Sequence, residues 1–172
     1  ADKTPDAEAL VFEQRRISYQ DLQRLVDACA KGLLAAGVGK GDRVATLSPP
    51  HPDYFIQFLA AASIGAIWMG LNPKYQLDES RYLISDAEPV LLFARTQVDG
   101  RDYRADLQQL QNEFNCIRQV IVLNQDATFA TAVDCAAFIK AGELITDHDL
   151  ETQRAQVTAA DPALLVYTSG TT

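Results

Sequence analysis

The residues whose types could do chemistry together stand at the end of the sequence. Four hydroxyl side chains and one glycine follow the apolar run Leu164 to Tyr167, which Asp161-Pro162 bounds upstream. That run has the pattern of a buried strand. Small residues leave backbone N–H groups and Oγ atoms free to converge on one anion, and open α/β sheets place ligands at the carboxyl ends of strands. The pattern predicts a phosphate-binding loop made by Thr168, Ser169, Gly170, Thr171 and Thr172.

An ordinary turn is the competing interpretation of this loop, because serine, threonine and glycine also populate turns. The sequence lacks the Walker pattern of glycine, four spacer residues and Gly-Lys-Ser/Thr, and no lysine follows Tyr167. The loop therefore offers dipoles without a cation. A polyphosphate bound there would need Mg²⁺ or a positive side chain from elsewhere.

The elements that must position this loop alternate along the chain. Two short strands precede a helix that Ser18 and Asp21 cap and Gly37 ends. The later strands lack apolar/polar alternation, and helices separate them. This pattern predicts a doubly wound, mostly parallel α/β sheet covered by helices on both faces. Strands are expected at Ala9 to Phe12, Arg16 to Ser18, Arg43 to Leu47, Ile67 to Leu71, Val90 to Phe93, Val120 to Leu123 and Leu164 to Tyr167, with later helices beginning near Pro52, Asp78 and Asp106.

Side-chain spacing also predicts which residues are buried. The inward residues of the helix near Pro52 are expected to be Phe55, Phe58, Leu59 and Ala62, and those of the next helix Leu77, Tyr82 and Leu83. Trp68 and Met69 are expected in the core. Val133 to Ala141 is predicted as a short helix, and Asp147 to Val157 as a polar surface segment.

One stretch is long enough to span a bilayer, because no residue from Tyr54 to Pro73 is charged. However, polar and glycine residues such as Gln57 and Gly70 interrupt it, and its apolar period changes at Gly65 from helical to strand-like. We therefore expect a buried helix followed by a buried strand, and no transmembrane segment.

Composition narrows the class of protein. With 172 residues, of which 48% are hydrophobic and 22% charged, the chain suits one globular domain or a large subdomain. Its net charge of −8, with dispersed basic residues, argues against nucleic-acid binding. Cys29, Cys116 and Cys135 lie far apart, and an odd number gives no complete disulfide framework. No secretory leader opens the chain, so reduced, buried thiols in a cytoplasmic protein are expected.

Neither histidine is expected to do chemistry. His51 lies between prolines in a stiff turn, with no carboxylate placed to orient it as a base. His148 stands between Asp147 and Asp149, but consecutive residues in a polar segment seldom converge on one metal ion. We predict no catalytic residue and no metal ligand within the chain.

Three stretches resemble, in the same order, the core motifs of the adenylate-forming superfamily, which includes acyl-CoA synthetases, peptide-synthetase adenylation domains and luciferases. The first is Ile17-Ser18-Tyr19-Gln20-Asp21-Leu22, and the second is Gly65-Ala66-Ile67-Trp68-Met69-Gly70-Leu71-Asn72-Pro73-Lys74-Tyr75. The third, Tyr167-Thr168-Ser169-Gly170-Thr171-Thr172, resembles the opening of the family's phosphate-binding signature. In that family the signature continues with a glycine and, shortly after, a proline and a lysine.

The resemblance implies that residues 1–172 are the N-terminal part of an AMP-binding adenylation domain, truncated inside its phosphate-binding loop. Leu71-Asn72-Pro73 followed by Tyr75 is similar to acyl- and aryl-CoA ligases, whereas peptide-synthetase domains tend to carry an aspartate after this turn. The implied parent protein uses ATP and Mg²⁺ to convert a carboxylic acid to an acyl-adenylate, releasing pyrophosphate, and then transfers the acyl group to CoA.

Within the family, a lysine of the phosphate loop and a later catalytic lysine have no counterpart in this chain, so the chain alone is expected to be inactive. Two alternatives stay open: a stand-alone nucleotide- or phosphate-binding α/β module, and a fragment of another adenylating enzyme of the peptide-synthetase or luciferase type. The carboxylic acid and the oligomeric state are not indicated by the sequence.

Overall fold

A six-stranded parallel sheet forms the centre of the chain in a computed structural model, which describes residues 3–123 and 129–168. The strands, in chain order, are β1 (Glu8–Phe12), β2 (Arg15–Ser18), β3 (Arg43–Leu47), β4 (Ile67–Leu71), β5 (Leu91–Ala94), β6 (Gln97–Val98), β7 (Arg101–Asp102), β8 (Gln119–Val122), β9 (Val133–Asp134) and β10 (Leu164–Leu165). The helices are α1 (Tyr19–Ala35), α2 (Pro52–Ser63), α3 (Leu77–Ala87), α4 (Arg104–Glu113), α5 (Cys135–Ala141) and α6 (Asp147–Arg154), with a 3₁₀ turn at Gly142–Leu144.

The sheet has the strand order β10-β4-β3-β5-β8-β9, and each neighbouring pair is parallel. Two antiparallel hairpins, β1–β2 and β6–β7, lie outside it. From β3 the chain passes through α2 to β4 on one side, and from β4 through α3 to β5 on the other. The predicted doubly wound parallel sheet is therefore confirmed, with β5 and β8 displaced by one residue from their expected positions.

Two apolar clusters cover the two faces of the sheet. Val44 and Trp68 face the cluster formed with α1, α2, α5 and α6. Their sequence neighbours Ala45 and Met69 face the opposite cluster, formed with α3 and α4. Because successive side chains of a strand point to opposite faces, a strand between two helical layers buries side chains on both of its faces.

A buried hydrogen-bond chain joins three neighbouring elements. Trp68 Nε1 donates to Thr46 Oγ1 at 3.0 Å, and Thr46 Oγ1 donates to Gln57 Oε1 at 2.9 Å. All three residues are buried. Because an unpaired buried polar group is costly, these two hydrogen bonds fix the register of β4 against β3 and the position of α2 against both strands.

The predicted start and end of α1 are confirmed. Ser18 Oγ accepts a hydrogen bond from the Asp21 N–H at 3.1 Å, which satisfies one free donor of the first turn. After the last helical residue, Gly37 has a φ of +75°, a conformation that glycine adopts without steric cost.

The predicted inner face of α2 was wrong in part. Phe55 is 39% exposed, and Phe58, Leu59 and Ala62 are only half-buried, whereas Ile56, Gln57, Ala60 and Ala61 form the buried face. Small alanines let α2 approach α1 and the sheet closely, and the larger rings lie at the margin of that contact.

Two further expectations about burial need correction. Tyr82 is 67% exposed, because α3 turns Leu83 and Ile84 toward the sheet instead. The segment from Asp147 contains helix α6, which buries Leu150 and begins with a capping box between Thr146 and Asp149. Its one apolar residue gave no helical stripe to recognise.

The stretch expected as a buried strand from Leu164 to Tyr167 is also different. Only Leu164–Leu165 forms ladder pairs, and Leu164 and Val166 are 48% and 66% exposed. The reason is position: β10 is an edge strand with one neighbour, β4. No helix within the described ranges is long and apolar enough to cross a bilayer.

We predict that Gly142→Ala destabilises the chain. A Cβ at residue 142 would lie 2.6 Å from the Gly32 backbone nitrogen, so α1 and the 3₁₀ turn would have to move apart. The expected loss is about 1–3 kcal/mol in the free energy of unfolding, measured by urea denaturation. Gly39→Ala is the control, since a Cβ there meets no atom within 4 Å. Equal stability of the two variants would contradict this packing.

His51 provides a second stability prediction, because it caps α2. Its Nδ1 accepts a hydrogen bond from the Asp53 N–H at 3.2 Å, which requires the neutral imidazole. Burial lowers the pKa of His51 below its ordinary value of 6.5, and the Asp53 carboxylate only partly opposes this. The unfolded chain therefore binds the proton more readily, so the stabilisation is present above about pH 6.5 and is lost as the pH falls through the folded pKa.

The expected result is that His51→Ala costs about 1 kcal/mol at about pH 7.5. His51→Asn should retain the cap and lose less stability than the wild type between about pH 7.5 and about pH 5.5. Urea midpoints measured at both pH values test this. A wild-type profile parallel to that of His51→Asn would show that the imidazole does not cap the helix.

Candidate functional site

Of the five residues in the expected phosphate loop, Thr168 lies within the described part of the chain. It is exposed and stands three residues beyond Leu165, past the carboxyl end of β10. Ser169, Gly170, Thr171 and Thr172 lie outside the described residues. Thr168 is thus at the carboxyl edge of a parallel sheet, the edge at which this kind of fold binds ligands.

The position of Thr168 depends on how β10 is attached. Its ladder with β4 pairs Leu164 with Trp68 and Leu165 with Met69, and the Trp68 N–H donates to the Ala163 carbonyl at 3.0 Å. Two residues of pairing give a short contact, so the flanking residues contribute to holding the strand.

Upstream of β10, Lys40 contacts the segment that connects α6 to β10. Lys40 Nζ lies 2.7 Å from Asp161 Oδ2 and donates to the Gln156 carbonyl at 2.7 Å. Asp161 also accepts hydrogen bonds from the N–H and hydroxyl of Thr158. The hydrogen bond from Lys40, followed by that from the Thr158 backbone, lowers the pKa of Asp161. These contacts attach the residues before β10 to the turn before β3.

Downstream of β10, a tyrosine makes the corresponding contact. Tyr167 Oη donates to Asp86 Oδ2 on α3 at 2.6 Å. Burial first, and then the hydrogen bond to the Asp86 carboxylate, raise the pKa of Tyr167 to about 12. The hydroxyl therefore remains a proton donor at neutral pH, and it ties the residue before Thr168 to the helix.

A cleft of about 470 Å³ lies beside Thr168 and is lined by Tyr75, Asp78, Glu79, Tyr82, Leu83, Tyr167 and Thr168. Its two acidic side chains are already engaged. Asp78 accepts a hydrogen bond from Arg81, and Glu79 accepts one from the Gln76 N–H in the capping box of α3. No lysine or arginine is among the described residues that line this cleft, so those residues bring no positive charge to a bound phosphate.

A second cleft of about 320 Å³ opens at the carboxyl ends of β3 and β4. Its lining residues include Ser48, Tyr54, Asn72 and Lys74, and it shares Tyr75 with the cleft beside Thr168. Gly70 allows Tyr54 to reach this position, because a Cβ at residue 70 would overlap the Tyr54 hydroxyl. Sequence reasoning did not identify this cleft, although the turn Asn72-Pro73 marks the end of the strand that builds it.

The histidines occupy the following positions. His51 caps α2, and a carboxylate that the sequence did not indicate, Asp53, has Oδ2 at 3.2 Å from Nδ1. His148 lies on α6 between two aspartates that bind elsewhere, Asp147 to Lys31 and Asp149 to Thr146. Among residues 3–123 and 129–168, no group of three or more histidine, cysteine, aspartate or glutamate side chains could hold a metal ion.

The thiols differ in burial. Cys29 is buried as expected, but Cys116 and Cys135 are only half-buried. Burial raises the pKa of all three thiols, that of Cys135 to about 11. Because the thiolate is the reactive form, these side chains are poor nucleophiles at neutral pH.

Comparisons with known proteins identify the family and the fold of this chain. A sequence model of the AMP-binding enzyme family matches residues 1–172. The acyl-CoA ligase sidI of Aspergillus fumigatus is 31% identical over 97% of this chain and 29% of its own length. The long-chain-fatty-acid–CoA ligase FadD15 of Mycobacterium bovis is 29% identical over 95% of this chain and 29% of its own.

The fold has a solved counterpart in the apo structure of MbtA from Mycobacterium smegmatis, with a TM-score of 0.75 and 23% identity, covering 99% of this chain and 30% of that one. The chain thus spans about three tenths of the length of the relatives it matches. The predicted membership of the adenylate-forming superfamily is confirmed, and the chain belongs to the AMP-binding enzyme family.

Proposed function

We propose that the protein of which residues 1–172 are the N-terminal part is an acyl-CoA synthetase, an acid–thiol ligase. In the first step a carboxylate oxygen attacks the α-phosphorus of ATP, the bond to the β-phosphate oxygen breaks, and pyrophosphate leaves. In the second step the CoA thiol attacks the acyl carbon of the adenylate, AMP leaves, and the thiol proton goes to solvent or a base. The matched relatives named as CoA ligases support this reaction class.

The observation that carries the proposal is the position of Thr168 at the carboxyl end of β10, beside a cleft. Hydroxyl and amide donors at that edge suit the pyrophosphate part of ATP, and this chain's contribution is to hold and orient it. The acidic side chains of the cleft are paired and no basic side chain is among its described residues, so Mg²⁺ would supply the charge neutralisation when bound with ATP.

The hypothesis that the protein is a CoA ligase, and not another adenylating enzyme, rests on Leu71-Asn72-Pro73 followed by Tyr75. These residues end β4 and line the cleft that also contains Lys74. We propose a cytoplasmic enzyme whose partners are a small-molecule carboxylic acid, ATP and CoA. A stand-alone phosphate-binding module is the alternative, and it predicts nucleotide binding without carboxylate-dependent chemistry.

The 172-residue chain alone is predicted not to catalyse adenylation. Charge develops on the α-phosphate and on the departing pyrophosphate, and no lysine or arginine lies after Arg154 to stabilise it. The measurement is carboxylate-dependent ATP–pyrophosphate exchange with Mg²⁺, on the chain and on the full-length protein, with a panel of fatty and aromatic acids. Exchange by the chain within about tenfold of the full-length rate would contradict the prediction, because several transition-state donors would then be dispensable.

Thr168→Val in the full-length enzyme tests the loop directly. The substitution replaces the hydroxyl by a methyl group of similar size, and loss of one transition-state donor typically costs about 10²-fold in rate. Thr168→Ser keeps the hydroxyl and is expected to retain most of the exchange activity. If both variants exchange at the wild-type rate, the Thr168 hydroxyl does not act on the phosphates.

A further inference from the structure

We propose that Tyr167 and Asp86 form a positioning contact that fixes Thr168 relative to the rigid body of the sheet. The proposal's kinetic consequences rest on the function proposed above, and its structural consequence does not. Neither residue is argued to touch a reacting atom. They act by holding the chain on which Thr168 stands.

The contact joins a half-buried tyrosine to an exposed aspartate, and its length is that of a charge-assisted hydrogen bond. The Tyr167 Oη–Asp86 Oδ2 distance of 2.6 Å is typical of a hydroxyl donating to a charged carboxylate. The two residues are 81 positions apart in sequence, so the bond ties the end of β10 to a distant helix. Tyr167 directly precedes Thr168, and one planar peptide unit of fixed length joins them, so a restraint on Tyr167 limits where Thr168 can lie.

The short ladder between β10 and β4 is not enough to fix the position of Thr168. β10 pairs with β4 through two residues, and Val166, between the ladder and Tyr167, is largely exposed. The Lys40–Asp161 contact restrains the chain before the ladder, on the side away from Thr168. Among the described residues, the hydrogen bond from Tyr167 to Asp86 is the side-chain hydrogen bond that restrains the segment after the ladder.

The helix that carries Asp86 is well fixed. Leu83, Ile84 and Ala87 of α3 are buried against the sheet. At its carboxyl end, Arg43 donates through Nε to the Ala87 carbonyl at 2.6 Å and through Nη2 to the Glu88 carbonyl at 3.0 Å. Asp86 therefore offers a stationary acceptor, which is what a positioning contact requires.

The location of Asp86 within α3 also suggests a purpose beyond helix stability. It lies in the last turn, where the helix dipole disfavours a carboxylate, and that turn carries no basic side chain. Removal of Asp86 should therefore leave α3 at least as stable as before. The carboxylate is instead used by Tyr167, the residue that begins the third family motif.

The experiment uses the full-length protein with Tyr167→Phe, Asp86→Ala and the double variant. Tyr19→Phe is the control, because it removes a hydroxyl from an exposed tyrosine at the start of α1. Hydrogen exchange of the peptide covering residues 164–168 is followed by mass spectrometry, and ATP dependence by pyrophosphate exchange at saturating carboxylate. Exchange of residues 43–47 in β3 reports any global change in stability.

In both single variants we expect the amides of residues 164–168 to exchange about tenfold faster, with exchange in β3 unchanged. We also expect the factor by which the KM for ATP rises to be about ten times the factor by which kcat changes. The double variant should be no worse than either single variant, because the two groups act through one bond. Wild-type protection of residues 164–168 in the single variants, or additive effects in the double variant, would overturn the proposal.

The two proposals fail separately. Absence of carboxylate-dependent pyrophosphate exchange in the wild-type protein would refute the proposed function, while hydrogen exchange would still decide the positioning contact. Faster hydrogen exchange with an unchanged KM and kcat, in an active wild-type enzyme, would refute the role of the contact in ATP binding. A variant that loses protection in β3 as well would show a structural role only, which also contradicts the proposal.

Discussion

Strand β4 carries the constraint on which the rest of the structure depends. Its edges pair with β3 and β10, and its side chains reach both apolar layers, Trp68 on one face and Met69 on the other. The Thr46 hydroxyl accepts a hydrogen bond from the Trp68 indole N–H and donates one to Gln57. These two buried hydrogen bonds set the positions of β4, β3 and α2 relative to one another. A shift of β4 by one residue would exchange its two faces and leave these polar groups unpaired.

The candidate site follows from that strand. The carboxyl end of β4 forms the cleft with Tyr54 and Lys74, and its other edge supports β10, from which Thr168 projects. The two clefts meet at Tyr75. Among the described residues that line the cleft beside Thr168, the charged groups are Asp78 and Glu79, and both are already bonded to neighbours on or next to α3. Under the proposed function, these residues would orient a polyanion, and most of the compensating charge would come from Mg²⁺ and the remainder of the protein.

Local patterns in the sequence predicted the elements well, and contacts between distant residues explain what was missed. Short, mostly apolar runs bounded by turn residues located β3, β4, β5 and β8, and the spacing of Ser18, Asp21 and Gly37 located α1, because each signal is contained in a few neighbouring residues. The exposure of Tyr82 and Val166 depends on which element is packed alongside, which no local period records. The Tyr167–Asp86 bond and the Lys31–Asp147 pair, 81 and 116 positions apart, leave no local pattern at all.

The central claim is that the segment Thr168 to Thr172 binds the phosphates of ATP at the carboxyl edge of this sheet. A crystal structure of the full-length protein with Mg²⁺ and a non-hydrolysable ATP analogue tests it most directly. The account predicts phosphate oxygens within about 3 Å of the hydroxyl or backbone N–H groups of Thr168 to Thr172, with Tyr167 still bonded to Asp86. Phosphates bound at another edge of the sheet, with this loop making no contact to them, would contradict the account.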